Sequence, residues 1–141
     1  MTGGAVGLLL VAFLVIGCAP TLSEIRAEPP SMTRRAVGEP ATILACVQDY
    51  LEDHYGGAWE RFGNTAYTTR SEGGVLHLIA RETGRPFAGS NGVRFDLAAV
   101  QTGLGQTELS MRVGPTRISP MYALQEPGLR TAIDACAPTV P

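Results

Sequence analysis

Hydrophobic and polar positions divide the chain into three regimes. From Ala5 to Gly17 the sequence is apolar without interruption, and Leu8 to Ile16 is apolar on every side. A helix packed on a globular core shows a polar stripe instead. From Ala19 to Gly38 apolar residues are sparse, and Pro20, Pro29 and Pro30 break the segment. This composition predicts a partly extended tether. Periodic patterning starts at Glu39.

Pro40 suits the first turn of a helix. Ile43, Leu44, Val47 and Leu51 then recur at helical spacing, with Cys46 and Tyr50 beside them and Asp49, Glu52 and Asp53 on the polar side. Gly56-Gly57 ends that helix near Tyr55. Four strands are predicted next. Thr65 to Arg70 is β-branched and aromatic, and Gly73-Gly74 turns it into Val75 to Arg81. In Val93 to Val100, Val93, Phe95, Leu97 and Ala99 alternate with Arg94 and Asp96. After Gly103-Leu104-Gly105, Thr107 to Val113 sets Leu109, Met111 and Val113 inward and Glu108, Ser110 and Arg112 outward. The strands read as an antiparallel meander with one wet face. Pro127 to Ala137 closes the domain as a helix, with Leu129, Ile133 and Cys136 on one side. The fold class is therefore α+β: a two-layer sandwich ordered helix, four-stranded meander, helix. The domain spans residues 39–141. Trp59 and Phe62 are expected in its core near the end of the first helix.

Composition narrows the partners. The chain has 141 residues and a net charge of −2. Its 11 basic residues are all Arg and are scattered, so it lacks the clustered basic face that nucleic acid requires.

Val15-Ile16-Gly17-Cys18 closes the apolar run, and the small residues Gly17 and Ala19 flank the cysteine. This stretch resembles the lipobox of bacterial lipoproteins: an aliphatic residue, a tolerant position, Gly or Ala, then Cys. The run is about the length of a signal-peptide core and shorter than the roughly 20 residues a transmembrane helix needs. The resemblance implies that signal peptidase II removes residues 1–17. It also implies that Cys18 carries diacylglycerol and a further fatty-acyl chain such as palmitate. Residues 18–38 then form a lipid-anchored tether. Ala19 stands where Asp marks inner-membrane retention in enterobacterial lipoproteins. The resemblance therefore implies the inner leaflet of the outer membrane, with the domain in the periplasm. The segment Met1 to Gly4 departs from the pattern in having no Lys or Arg. A plain secretory signal and a retained membrane anchor are the other readings.

With Cys18 assigned to lipid, Cys46 and Cys136 remain. In an oxidising compartment they most simply form one disulfide, the alternative being two buried free thiols. A disulfide requires the two helices to lie side by side on one sheet face.

Candidate chemistry is thin. His54 sits in the last turn of the first helix and His77 within a strand. Ser110, His77 and Asp96 make a Ser-His-Asp set only by free choice, and no Gly-x-Ser-x-Gly elbow occurs. Glu52 and Asp53 are adjacent on a helix and point apart. Gly103-Leu104-Gly105 lacks the third glycine of a nucleotide loop. The sequence predicts no catalytic residue, no metal site and no cofactor. Two long connections are more informative. One carries Phe87 among Pro and Gly residues; the other carries Met121 and Tyr122. These three are the candidate partner contacts, and folding back onto the core is the other reading of each. The expected function is a non-enzymatic accessory lipoprotein binding a protein partner in an envelope assembly for transport, secretion or conjugation. The alternative is a periplasmic lipoprotein that binds a small ligand or glycan or acts as an inhibitor.

Overall fold

A computed structural model describes residues 20–57, 62–83, 92–114 and 125–141. Cys18, Trp59, Phe87, Met121 and Tyr122 lie outside the described residues. The described elements in chain order are α1 (Leu22–Ala27), β1 (Met32–Val37), α2 (Pro40–Tyr55), β2 (Thr65–Glu72), β3 (Val75–Glu82), β4 (Val93–Gly103), β5 (Gln106–Val113) and α3 (Gln125–Cys136). The class is α+β. The sheet has five strands in the order β1-β5-β4-β3-β2, every neighbouring pair antiparallel. The expected four-stranded meander is thus β2 to β5, and β1 adds a fifth strand beside β5.

The main core lies between one face of the sheet and α2 with α3. Ile43, Leu44, Val47 and Leu51 of α2 and Leu129, Ala132 and Ile133 of α3 meet Leu78 and Ala80 of β3, Phe95, Leu97 and Ala99 of β4, and Leu109 and Met111 of β5. Phe62 is 2 % exposed and joins the same core. Its ring meets Phe95 edge-on at 6.0 Å. The Cys46–Cys136 disulfide joins α2 to α3, with Cα atoms 5.7 Å apart. The two helices therefore share one sheet face and lie side by side.

Two expectations are corrected. Residues 22–37, expected within a tether, form α1 and the edge strand β1. The physical reason for β1 is partnership: its backbone pairs with β5 from Met32–Met111 to Val37–Gln106. Arg34 ion-pairs with Asp134 of α3 at 2.6 Å, while Ala36 enters the core. An edge strand can be polar and still be held by its ladder. The reason for α1 is its cap. Thr21 accepts from the Glu24 backbone N–H at 3.3 Å, and the Glu24 carboxylate accepts from the Thr21 N–H at 2.7 Å.

The second correction concerns the opposite sheet face, expected to be wet. Helix α1 covers part of it, and Ile25, Ile79 and Val93 form a second small core there with Leu22 beside them. Val93 was expected on the main-core face with Phe95. A bulge puts Phe95 opposite Ala80 and Val93 opposite Arg81, so Arg94 is the extra residue and Val93 turns to the other side.

The outer edge of β1 is covered by the chain's last residues. Val37 N–H donates to Pro138 O at 2.8 Å, Ala36 bridges Thr139, and Val140 N–H donates to Arg35 O at 3.3 Å. At the other edge, β2 has no further strand beside it among the described residues.

Candidate functional site

Asp96 is the most buried charged group described, at 0 % exposure. The alternation of β4 points it away from the main core, to the face that α1 covers. Burying a carboxylate is costly unless it is fully hydrogen-bonded and paired. Here both oxygens are used. Arg26 Nε donates to Oδ2 at 2.7 Å. His77 Nδ1 donates to Oδ1 at 2.8 Å, the carboxylate oxygen accepting. Arg26 also reaches Glu72 at the end of β2, donating from Nη1 at 2.7 Å. The backbone carbonyl of Glu28 accepts from Arg112 Nε at 3.0 Å. The N-terminal segment is thus held across β2, β3, β4 and β5.

The electrostatics follow from these contacts. Burial works against the Arg26 charge, but the hydrogen bonds to Asp96 and Glu72 outweigh it and its pKa rises. The same Arg26 bond holds the Glu72 carboxyl below the usual carboxylate range. On the main-core side, burial pushes the Tyr67 phenol up, with the Glu52 charge adding to it.

His77 and Asp96 therefore do come together, as base and orienter would. Ser110 does not join them. It pairs with Ala98, which pairs with His77, so Ser110 stands two strands away, roughly 10 Å. A nucleophile must lie within hydrogen-bond reach of its base. With Arg26 on its other oxygen, Asp96 is arranged to lock α1 onto the sheet. The signal for this lock was present in the sequence as the capping box Thr21-Leu22-Ser23-Glu24, followed by Ile25 and Arg26. His54 is exposed and stacks on Tyr50, ring centroids 4.0 Å apart, with its Nδ1 against the Tyr50 carbonyl at 3.0 Å. Among the described residues there is no cluster of His, Cys, Asp and Glu that would hold a metal, and no helix long and apolar enough to cross a membrane.

A second feature is one end of the sheet. Here Val93 N–H donates to Pro20 O at 3.0 Å, Glu82 N–H to Gly92 O at 2.8 Å, Thr83 N–H to Asn64 O at 2.7 Å, and Gly114 N–H to Arg94 O at 3.0 Å. Phe62 N–H donates to Tyr55 O at 3.0 Å, and Gly128 of α3 packs against Phe62 and Tyr55. The residues flanking the connections that carry Phe87 and Met121-Tyr122 therefore all lie at the end that receives Pro20. At the opposite end are the Gly73-Gly74 turn and Leu104, which is 99 % exposed.

No family model matches the chain, and neither a curated protein nor a solved structure is detectably similar to it.

Proposed function

We propose that the protein is a membrane-anchored envelope lipoprotein, lipidated at Cys18. In this reading it acts as a non-enzymatic accessory that binds a protein partner in an outer-membrane or envelope-spanning assembly. The observation that carries the reading is how the three cysteines divide. Cys46 and Cys136 are joined, linking residues 90 apart in sequence. The third, Cys18, is the one that ends the lipobox-like Val15-Ile16-Gly17-Cys18. A structural disulfide belongs to an oxidising compartment, and two or more acyl chains give durable anchoring where one does not. Phe87, Met121 and Tyr122 are the proposed partner contacts. Both connections leave the sheet end that receives Pro20, close behind the anchor, which favours a partner at the membrane.

The test is crosslinking in cells, followed by mass spectrometry of detergent-solubilised membranes. The wild type should recover one specific envelope protein. Phe87→Asp and Tyr122→Asp should lose it while keeping wild-type melting behaviour. Recovery unchanged in both variants would remove these residues from the contact. Absence of any partner, with thermal stabilisation by a small ligand or glycan, would favour the ligand-binding reading.

A further inference from the structure

The anchor of a lipoprotein with a free tether leaves its domain at any height and any orientation. A twenty-residue Pro-containing tether at about 3.1 Å per residue would reach roughly 60 Å. The chain behind Cys18 has no such freedom. Pro20 is buried and its carbonyl is tied to Val93. Thr21 and Glu24 cap each other, Ile25 is 0 % exposed, and Arg26 is bonded to Asp96 and Glu72. From Pro20 onward the segment belongs to the folded body.

We infer that the lipidated protein stands end-on upon the bilayer. The sheet end bearing Pro20, Glu82, Val93 and Gly114 is seated at the phospholipid surface, and the end bearing Gly73, Gly74 and Leu104 points away. This rests on lipidation at Cys18. One residue, Ala19, separates Cys18 from Pro20, a span of at most about 7 Å between their Cα atoms. That distance holds the Pro20 end at the lipid and is too short for the domain to turn over and seat the opposite end there. Strands of 8 to 11 residues put the far end about 25–35 Å above the near one. The occupant of the Pro20 end is therefore the membrane surface, fixed by how few residues lie between the buried Pro20 and the anchor at Cys18.

The experiment uses the full chain, lipidated in cells and reconstituted into phosphatidylethanolamine–phosphatidylglycerol vesicles containing doxyl-labelled lipid. Intact mass first reads the acyl chains on Cys18. Single thiols for a bimane probe are placed by Thr83→Cys or Pro127→Cys at the Pro20 end of the sheet, and by Leu104→Cys at the far end. The near probes should be quenched several-fold more strongly than the Leu104 probe. A twenty-residue Gly/Ser linker inserted between Ala19 and Pro20 should abolish the difference. Equal quenching at both ends in a protein of lipidated mass overturns the orientation and leaves the lipoprotein reading intact. A near-far difference that survives the linker overturns the short connection as its cause. A mass without acyl chains overturns the lipoprotein reading itself, and the orientation with it.

Discussion

Arg26 Nε donates to Oδ2 of Asp96 at 2.7 Å, across 70 residues of sequence. The bond joins the first described helix to the middle of the sheet, and the Asp96 side chain it reaches has no solvent exposure. Removing one partner of a buried pair leaves the other charge without its counter-ion. Asp96→Ala should therefore cost about 2–4 kcal/mol, measured by urea unfolding, because Arg26 keeps some solvent contact and Glu72. Proteolysis of the native variant should first cut between Thr21 and Ser31. An Arg26→Met, Asp96→Leu double variant should recover much of the loss, since apolar replacement of a buried pair removes the desolvation penalty from both groups. A double variant as unstable as Asp96→Ala alone would show that the lock is not chiefly electrostatic.

This lock also marks what sequence reasoning reached and where it stopped. Helix α2, strands β2 to β5 and helix α3 were legible because each buries one periodic face: Ile43, Leu44, Val47 and Leu51 on α2, or Leu109 and Met111 on β5. Strand β1 was hidden because it is an edge. Only Ala36 is fully buried, and Met32-Thr33-Arg34-Arg35 shows no apolar alternation. Its stability comes from a ladder to β5 and an ion pair with α3, both long-range. Helix α1 has six residues, too few for periodicity to register. Asp96 follows the outward polar alternation of β4, and only the long-range contact with α1 buries it. Strand register decides which neighbours meet: it brings His77 against Asp96 and places Ser110 beyond Ala98.

The Cys46–Cys136 link closes a loop across 90 residues, most of the domain. Chain-entropy reasoning assigns such a loop about 4–5 kcal/mol through the unfolded state. Cys46→Ala combined with Cys136→Ala should lower unfolding stability by about that amount. For a small domain this is a large part of the whole. Wild type with excess reductant should fall to the level of the double variant. A difference below about 1 kcal/mol would show that packing of α2 on α3 holds the helices together without the link.

Tyr67 gives a pH dependence with a definite sign. Its hydroxyl is buried and has no hydrogen-bond partner among the described residues. Burial raises its folded-state pKa above the unfolded value of about 10. The stability this represents is fully present below pH 10 and declines as pH rises above it, because the unfolded chain releases the proton first. Tyr67→Phe should therefore flatten the alkaline decline seen in thermal melts above about pH 10. At neutral pH the same variant should match the wild type or exceed it by about 1 kcal/mol, since an unsatisfied buried hydroxyl is removed. A clear loss at neutral pH would mean that the hydroxyl has a partner after all.

Gly128 sets how closely α3 approaches the end of α2. A Cβ built there would lie 3.2 Å from Phe62 Cε2 and 3.6 Å from Tyr55 Cε2. Phe62 is 2 % exposed and has Phe95 edge-on against it at 6.0 Å, so it has little room to yield. Gly in a helix interior is disfavoured by about 1 kcal/mol relative to Ala, and that gain offsets the crowding of a single methyl. Gly128→Ala should therefore be close to neutral. Gly128→Val adds two further methyls and a β-branched side chain to the same contact, and overpacking of this kind costs about 1–3 kcal/mol. Urea titrations of the two disulfide-bonded variants would read the contrast. If valine were tolerated as well as alanine, α3 would be free to shift along α2 despite the Cys46–Cys136 link, and Phe62 would not be the wedge between them.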